Sequence, residues 1–90
     1  MVVVNSDLFI DQYKNILDSL SKIDLEDTKK FKAHLDTVLL NIASKYSKYK
    51  TSIYFQDENI KDIEHRGFTI TVYYDENIDV FVILGIIRKN

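Results

Sequence analysis

Hydrophobic and polar positions alternate most plainly between Gly67 and Lys89, GFTITVYYDENIDVFVILGIIRK. Phe68, Ile70 and Val72 alternate with Thr69, Thr71 and Tyr73, the two-residue period of a half-buried strand. Asp75-Glu76-Asn77 supplies turn chemistry, since Asn tolerates the left-handed backbone that short hairpin loops need. The strand that follows is different. Ile78, Val80, Val82, Leu84 and Ile86 form one apolar face, and Phe81, Ile83 and Ile87 make the other face apolar as well. Such a strand is covered on both sides, either by its own chain or by another molecule. Gly85 inside it points to a bulge or a close backbone approach.

Upstream, Val2-Val3-Val4 is β-branched and short, and reads as a first strand. Asn5 or Ser6 caps a helix, with Asp7 suited to its positive end. Phe9, Tyr13, Ile16, Leu20 and Ile23, flanked by Ile10 and Leu17, make its apolar stripe, and Asp18 and Lys22 form a surface pair. Asp24 caps a second helix whose stripe runs through Phe31, Leu35, Val38 and Ile42, widened by Leu39 and Tyr46. His34 flanks that stripe and is expected to be partly buried. Gln56 to Asn59 reads as a loop, Ile60 to His65 as a strand, and Arg66-Gly67 as the turn into the hairpin.

The expected architecture is α+β, in the order βααβββ: one strand, a helical hairpin, then an antiparallel meander. Residues 1–90 form a single domain. The hairpin should pack on one sheet face through Phe9, Ile16, Leu35, Val38 and Ile42, against Ile70, Val72, Val82 and Leu84. Two helices cover one face of a sheet. Phe81, Ile83 and Ile87 are then left as a surface for a partner protein.

Composition narrows the chemistry. The chain has no Cys, which removes disulfides, thiol nucleophiles and Cys-based zinc sites. Its net charge of -2 argues against a generally basic nucleic-acid binder. The apolar opening Met1 to Val4 is too short for a signal peptide or a membrane span, so a cytoplasmic protein is expected. Lys29, Lys30 and Lys32 read as a solvated face. Lys45, Lys48 and Lys50 interleave with Tyr46, Tyr49 and Tyr54. They read first as a helix end with Tyr covering the core edge, and second as a basic-aromatic surface for nucleic acid. Asp57-Glu58 and Asp75-Glu76 lack the pattern of a calcium loop, and the two His residues make neither a zinc site nor a triad. No cofactor, no metal and no catalytic residue is assigned. Arg88 and Lys89 end the last strand while Arg66 sits at the turn entering its neighbour, so the three cations should converge at one end of the sheet.

With these residues in place the chain resembles the RelE/ParE superfamily, the toxins of bacterial type II toxin–antitoxin (plasmid stabilisation) systems. The order βααβββ is similar throughout, and Ser52 to Lys89 is similar to the C-terminal half of ParE-type members. Gly67-Phe68, Tyr73-Tyr74, Leu84-Gly85 and Arg88-Lys89 match in order and spacing. The resemblance implies a growth inhibitor neutralised by a cognate antitoxin that wraps the helices and the sheet. RelE-like members cut messenger RNA on the ribosome, and for that chemistry this chain offers Arg66, Arg88, Lys89, Tyr73 and His65. ParE-like members bind and poison DNA gyrase without being enzymes. Arg88 stands where cleaving relatives often carry His, the chain stops at Asn90 without a tail to supply a further Tyr, and the balance is acidic. These departures favour the ParE-like side. A ribosome-dependent nuclease and an inert relative that keeps only the partner surface remain the alternatives.

Overall fold

Ser6 ends the first strand and starts the first helix with one side chain. Its hydroxyl accepts from the Phe9 N–H at 3.0 Å and donates to the Leu84 carbonyl at 2.9 Å. The cap of the helix is thereby tied to the last strand. In the computed structural model, which describes residues 2–53, 55 and 57–89, the described elements follow from such local signals. They are β1 (Val2–Asn5), α1 (Asp7–Ser21), α2 (Leu25–Leu40), α3 (Ile42–Lys45), β2 (Lys50–Thr51), β3 (Ile60–His65), β4 (Phe68–Asp75) and β5 (Val80–Arg88). The result is an α+β arrangement with a five-stranded mixed sheet in the order β1-β5-β4-β3-β2. β3, β4 and β5 form the expected antiparallel meander, whereas β1 pairs with β5 in parallel.

Asp24 caps α2 as expected, its carboxylate accepting from the Asp27 N–H at 3.1 Å. The second helix is shorter than its stripe suggests. At Asn41 the side-chain amide donates to the Thr37 carbonyl at 2.9 Å, and the backbone leaves helical geometry before resuming as α3. An Asn that bonds its own helix's backbone competes with the helical ladder in this way. Ile23, placed on the α1 stripe by spacing, lies beyond the end of that helix and is 84% exposed. His34 is exposed too, not partly buried. The β3–β4 turn is the anticipated Arg66-Gly67, both residues at positive φ (47° and 85°), as a two-residue hairpin with the right twist requires. In the β4–β5 connection the left-handed residue is Asp79 (φ 52°), not Asn77, and β5 begins at Val80.

The helix-side core contains Phe9, Phe31, Leu35 and Ile42 against Ile63, Phe68, Ile70 and Val72. Ile16 and Val38 pack against it partly buried. Its β5 members overturn the expectation. Phe81 (4% exposed) and Ile83 (0%) lie under the helices, while Val82 and Leu84 lie on the opposite face, half-buried. The cause is register. Tyr74 faces Phe81 and Val72 faces Ile83, and residues directly opposite in an antiparallel pair share a face. The register then shifts between Thr71 and Val72, leaving Leu84 as an extra residue, so that Ile86 rejoins the core. This is a β-bulge. Beside it Gly85 meets α1 closely, because a Cβ there would lie 2.8 Å from Gln12 Oε1, the atom that accepts from the Ile86 N–H at 2.9 Å. Both expectations for Gly85 are realised in one place. Among the described residues no helix is long and apolar enough to cross a membrane.

Candidate functional site

Two surfaces hold the candidate residues: one end of the sheet, and the sheet face away from the helices. At the end, the Lys89 N–H donates to the Gly67 carbonyl at 2.8 Å, which draws the close of β5 to the β3–β4 turn. Arg88 sits opposite Phe68, its guanidinium carbon 5.1 Å from the ring centroid. Lys89 Nζ lies 3.3 Å from a Glu64 carboxylate oxygen. Arg66, Arg88 and Lys89 thus share one end of the sheet, as the strand directions require. Lys89 is partly neutralised, whereas Arg66 and Arg88 make no ion pair with a described carboxylate. The two possible supporting residues separate. His65 belongs to this end, its ring 5.9 Å from Phe31 and its Nε2 buried without a hydrogen-bond partner. Burial lowers its pKa, and the positive charge of Arg66 and His34 lowers it further. Tyr73 lies five residues along β4 from Phe68, roughly 16 Å away at strand rise, and on the other face. The arrangement can attract an anion. It does not place the Tyr73 hydroxyl beside the cations.

The second surface is the outer sheet face. Its β3–β4 half is polar, with Thr71 donating to Asp62 at 3.1 Å and Thr69 to Glu64 at 3.3 Å. Its β5–β1 half is apolar. Val80, Val82, Leu84 and Ile87 of β5 run beside Val2 and Val4 of β1, since Val2 faces Val80 and Val4 faces Val82. Near α1 this stripe opens into a cleft of about 270 Å³, with walls from Leu8, Phe55, Thr69, Leu84 and Ile87. The uncovered apolar face anticipated for the last strand exists, but its members differ. Of the three residues assigned to a partner, Phe81 and Ile83 are in the core and Ile87 is exposed on the outer face. The residues missed are Val2, Val4, Val80, Val82 and Leu84. Gly85 signalled the bulge, but nothing in the sequence orients the two apolar faces of β5 or seats β1 beside it.

The segment with interleaved Lys and Tyr resolves toward packing. The Tyr46 hydroxyl donates to the Asn59 carbonyl, its ring sits 5.2 Å from Phe81, and burial pushes its pKa up to about 12. Tyr49 packs against the core edge while Lys45, Lys48 and Lys50 stay exposed. Tyr54 and Gln56 lie outside the described residues. Lys29, Lys30 and Lys32 are solvated, and Lys32 pairs with Asp36 at 2.8 Å. Among the described residues no group of three metal-ligating side chains gathers. The chain matches no protein-family model, and no curated protein matches it in sequence.

Proposed function

We propose that this chain is a ParE-like toxin of a type II toxin–antitoxin pair, a non-enzymatic protein that inhibits growth by binding DNA gyrase and is silenced by a cognate antitoxin. The observation that carries this reading is the apolar stripe of Val2, Val4, Val80, Val82, Leu84 and Ile87 on the outer sheet face, with Val2, Val4 and Ile87 exposed and Val80, Val82 and Leu84 half-buried. A stripe of that kind is stabilised by a partner segment through apolar burial, at roughly 25 cal/mol per Å². The helical hairpin over an antiparallel meander, and the resemblance at Gly67-Phe68, Tyr73-Tyr74, Leu84-Gly85 and Arg88-Lys89, support the family assignment.

The RelE-like reading draws on one specific observation, the gathering of Arg66, Arg88 and Lys89 beside His65. It is the weaker reading. The His65 Nε2 is buried, Tyr73 stands at the far end of β4, and Lys89 is engaged by Glu64.

Induced expression in bacteria, followed by a gyrase supercoiling assay and a map of cellular RNA ends, tests the assignment. Growth arrest with blocked supercoiling and intact messages is the expected result. Cuts within translated codons would establish the nuclease instead. No arrest under full expression would leave an inert relative and remove the toxin reading.

A further inference from the structure

The two edges of the sheet are defended unequally. β2 is two residues long and carries Lys50, a usual protection against pairing with another chain. β1 holds Val2–Asn5 with no charge, no Pro and no bulge, and no described strand lies beyond it. The Ser6 N–H donates to the Ile83 carbonyl at 3.0 Å. By alternation the backbone groups of Val4 also turn to β5, and those of Val3 and Asn5 turn to the open edge. Beside that edge lies a groove of about 560 Å³, floored by Val3 and Asn5 and walled by Asp36, Leu39, Leu40 and Ala43. Leu40 at its rim is 84% exposed.

We infer that β1 pairs antiparallel with β1 of a second copy of this chain, joining two sheets across a two-fold axis. Val4 faces Val4 of the second copy on the axis, and Val3 faces Asn5. The outward N–H and C=O groups of Val3 and Asn5 then all find partners. Val3 of the second copy enters the groove beside Leu39 and Leu40, and Val2 and Val4 extend the outer apolar stripe across both copies.

Three features select a second copy as the occupant. The edge is self-complementary, because no charged residue of β1 meets its own image. Two-fold pairing consumes both unprotected edges and leaves the Lys50-bearing edges outermost, so assembly closes at two copies. The area is also suited to a reversible dimer. Val2 (53% exposed), Val4 (44%), Val3, Leu39, Leu40 and Ala43 fall short of the roughly 20–30 residues a side of a standard interface. The dimer therefore exchanges with monomer at micromolar concentration, and the charge of -2 on each copy makes it tighten as salt rises.

The chain contains no Cys, so one introduced thiol reports the register. A non-hydrogen-bonded antiparallel pair brings Cα atoms to about 4.5 Å, inside the roughly 4.4–6.8 Å range of disulfides. Mild oxidation should link Val4→Cys into a dimer and leave Val2→Cys, which lies opposite Ser6 of the second copy and not opposite its own image, unlinked. Sedimentation equilibrium of the unaltered chain should pass from monomer to dimer between low micromolar and near-millimolar concentration. Val4→Glu and Val4→Lys should each remain monomeric with unchanged circular dichroism, and mixing them should restore the dimer. A chain that stays monomeric throughout would overturn the inference, as would Val2→Cys linking as readily as Val4→Cys. Val4→Glu dimerising like its parent would place the contact elsewhere and overturn it equally.

Discussion

Ile83→Ala and Leu84→Ala remove side chains from neighbouring residues on opposite faces of β5, and their costs should differ sharply. Ile83 is 0% exposed and sits opposite Val72 in the helix-side core. Truncation removes three carbons, about 2.4 kcal/mol at roughly 0.8 kcal/mol per buried CH₂. The cavity left beneath α1 and α2 adds to this, giving a total of about 3–5 kcal/mol. Leu84 is half-buried on the outer face, where solvent fills the vacated space, so its truncation should cost about 1 kcal/mol. In a domain of this size the first loss lowers the melting temperature by at least about 12 °C, at about 4–8 °C per kcal/mol. Urea unfolding followed by circular dichroism, with the slope held common, measures both losses. Should Ile83→Ala not fold, Ile83→Val is the substitute, with an expected cost of about 0.5–1.5 kcal/mol. A larger loss for Leu84→Ala than for Ile83→Ala, or a loss for Leu84→Ala of about 3 kcal/mol or more where only Ile83→Val folds, would mean that the faces are assigned the wrong way round, and the register argument would fall with it.

Gly85→Ala should destabilise by about 1–3 kcal/mol, because the new Cβ displaces Gln12 Oε1 and strands the Ile86 N–H. Gln12→Ala in the same background should then add almost nothing in a denaturation double-mutant cycle. Stability should also fall on mild acidification. His65 has a folded pKa below its unfolded value of 6.5, so its contribution is fully present above 6.5 and is lost as pH drops through that value toward the lower one. Urea midpoints between pH 7.5 and 5.5 should show the slope, and His65→Leu should flatten it. Arg88→Ala with Lys89→Ala should change stability by less than about 1 kcal/mol, since the Lys89–Glu64 pair is largely exposed. If these cations serve growth inhibition, the double variant should lose it while keeping its far-ultraviolet spectrum.

Much of the fold was legible locally, because local chemistry decides it. Ser6 and Asp24 cap helices through contacts within three residues, and Arg66-Gly67 turns because its glycine takes the positive φ a two-residue hairpin needs. The convergence of Arg66, Arg88 and Lys89 was legible too, since antiparallel strands joined by a short turn fix which ends meet. The parallel seat of β1 was not, because nothing in Val2–Val4 names its neighbour. The face of β5 was not either. A strand apolar on both sides has no hydrophobic pattern to orient it, so the connection 76–79 sets its register and the bulge at Leu84 resets it. Pairing geometry buried Phe81 and Ile83 and left Val82 and Leu84 outside. Side chains two residues apart carry their own periodicity, but which side faces the core is a property of the pair of strands, and it comes into being with the tertiary structure.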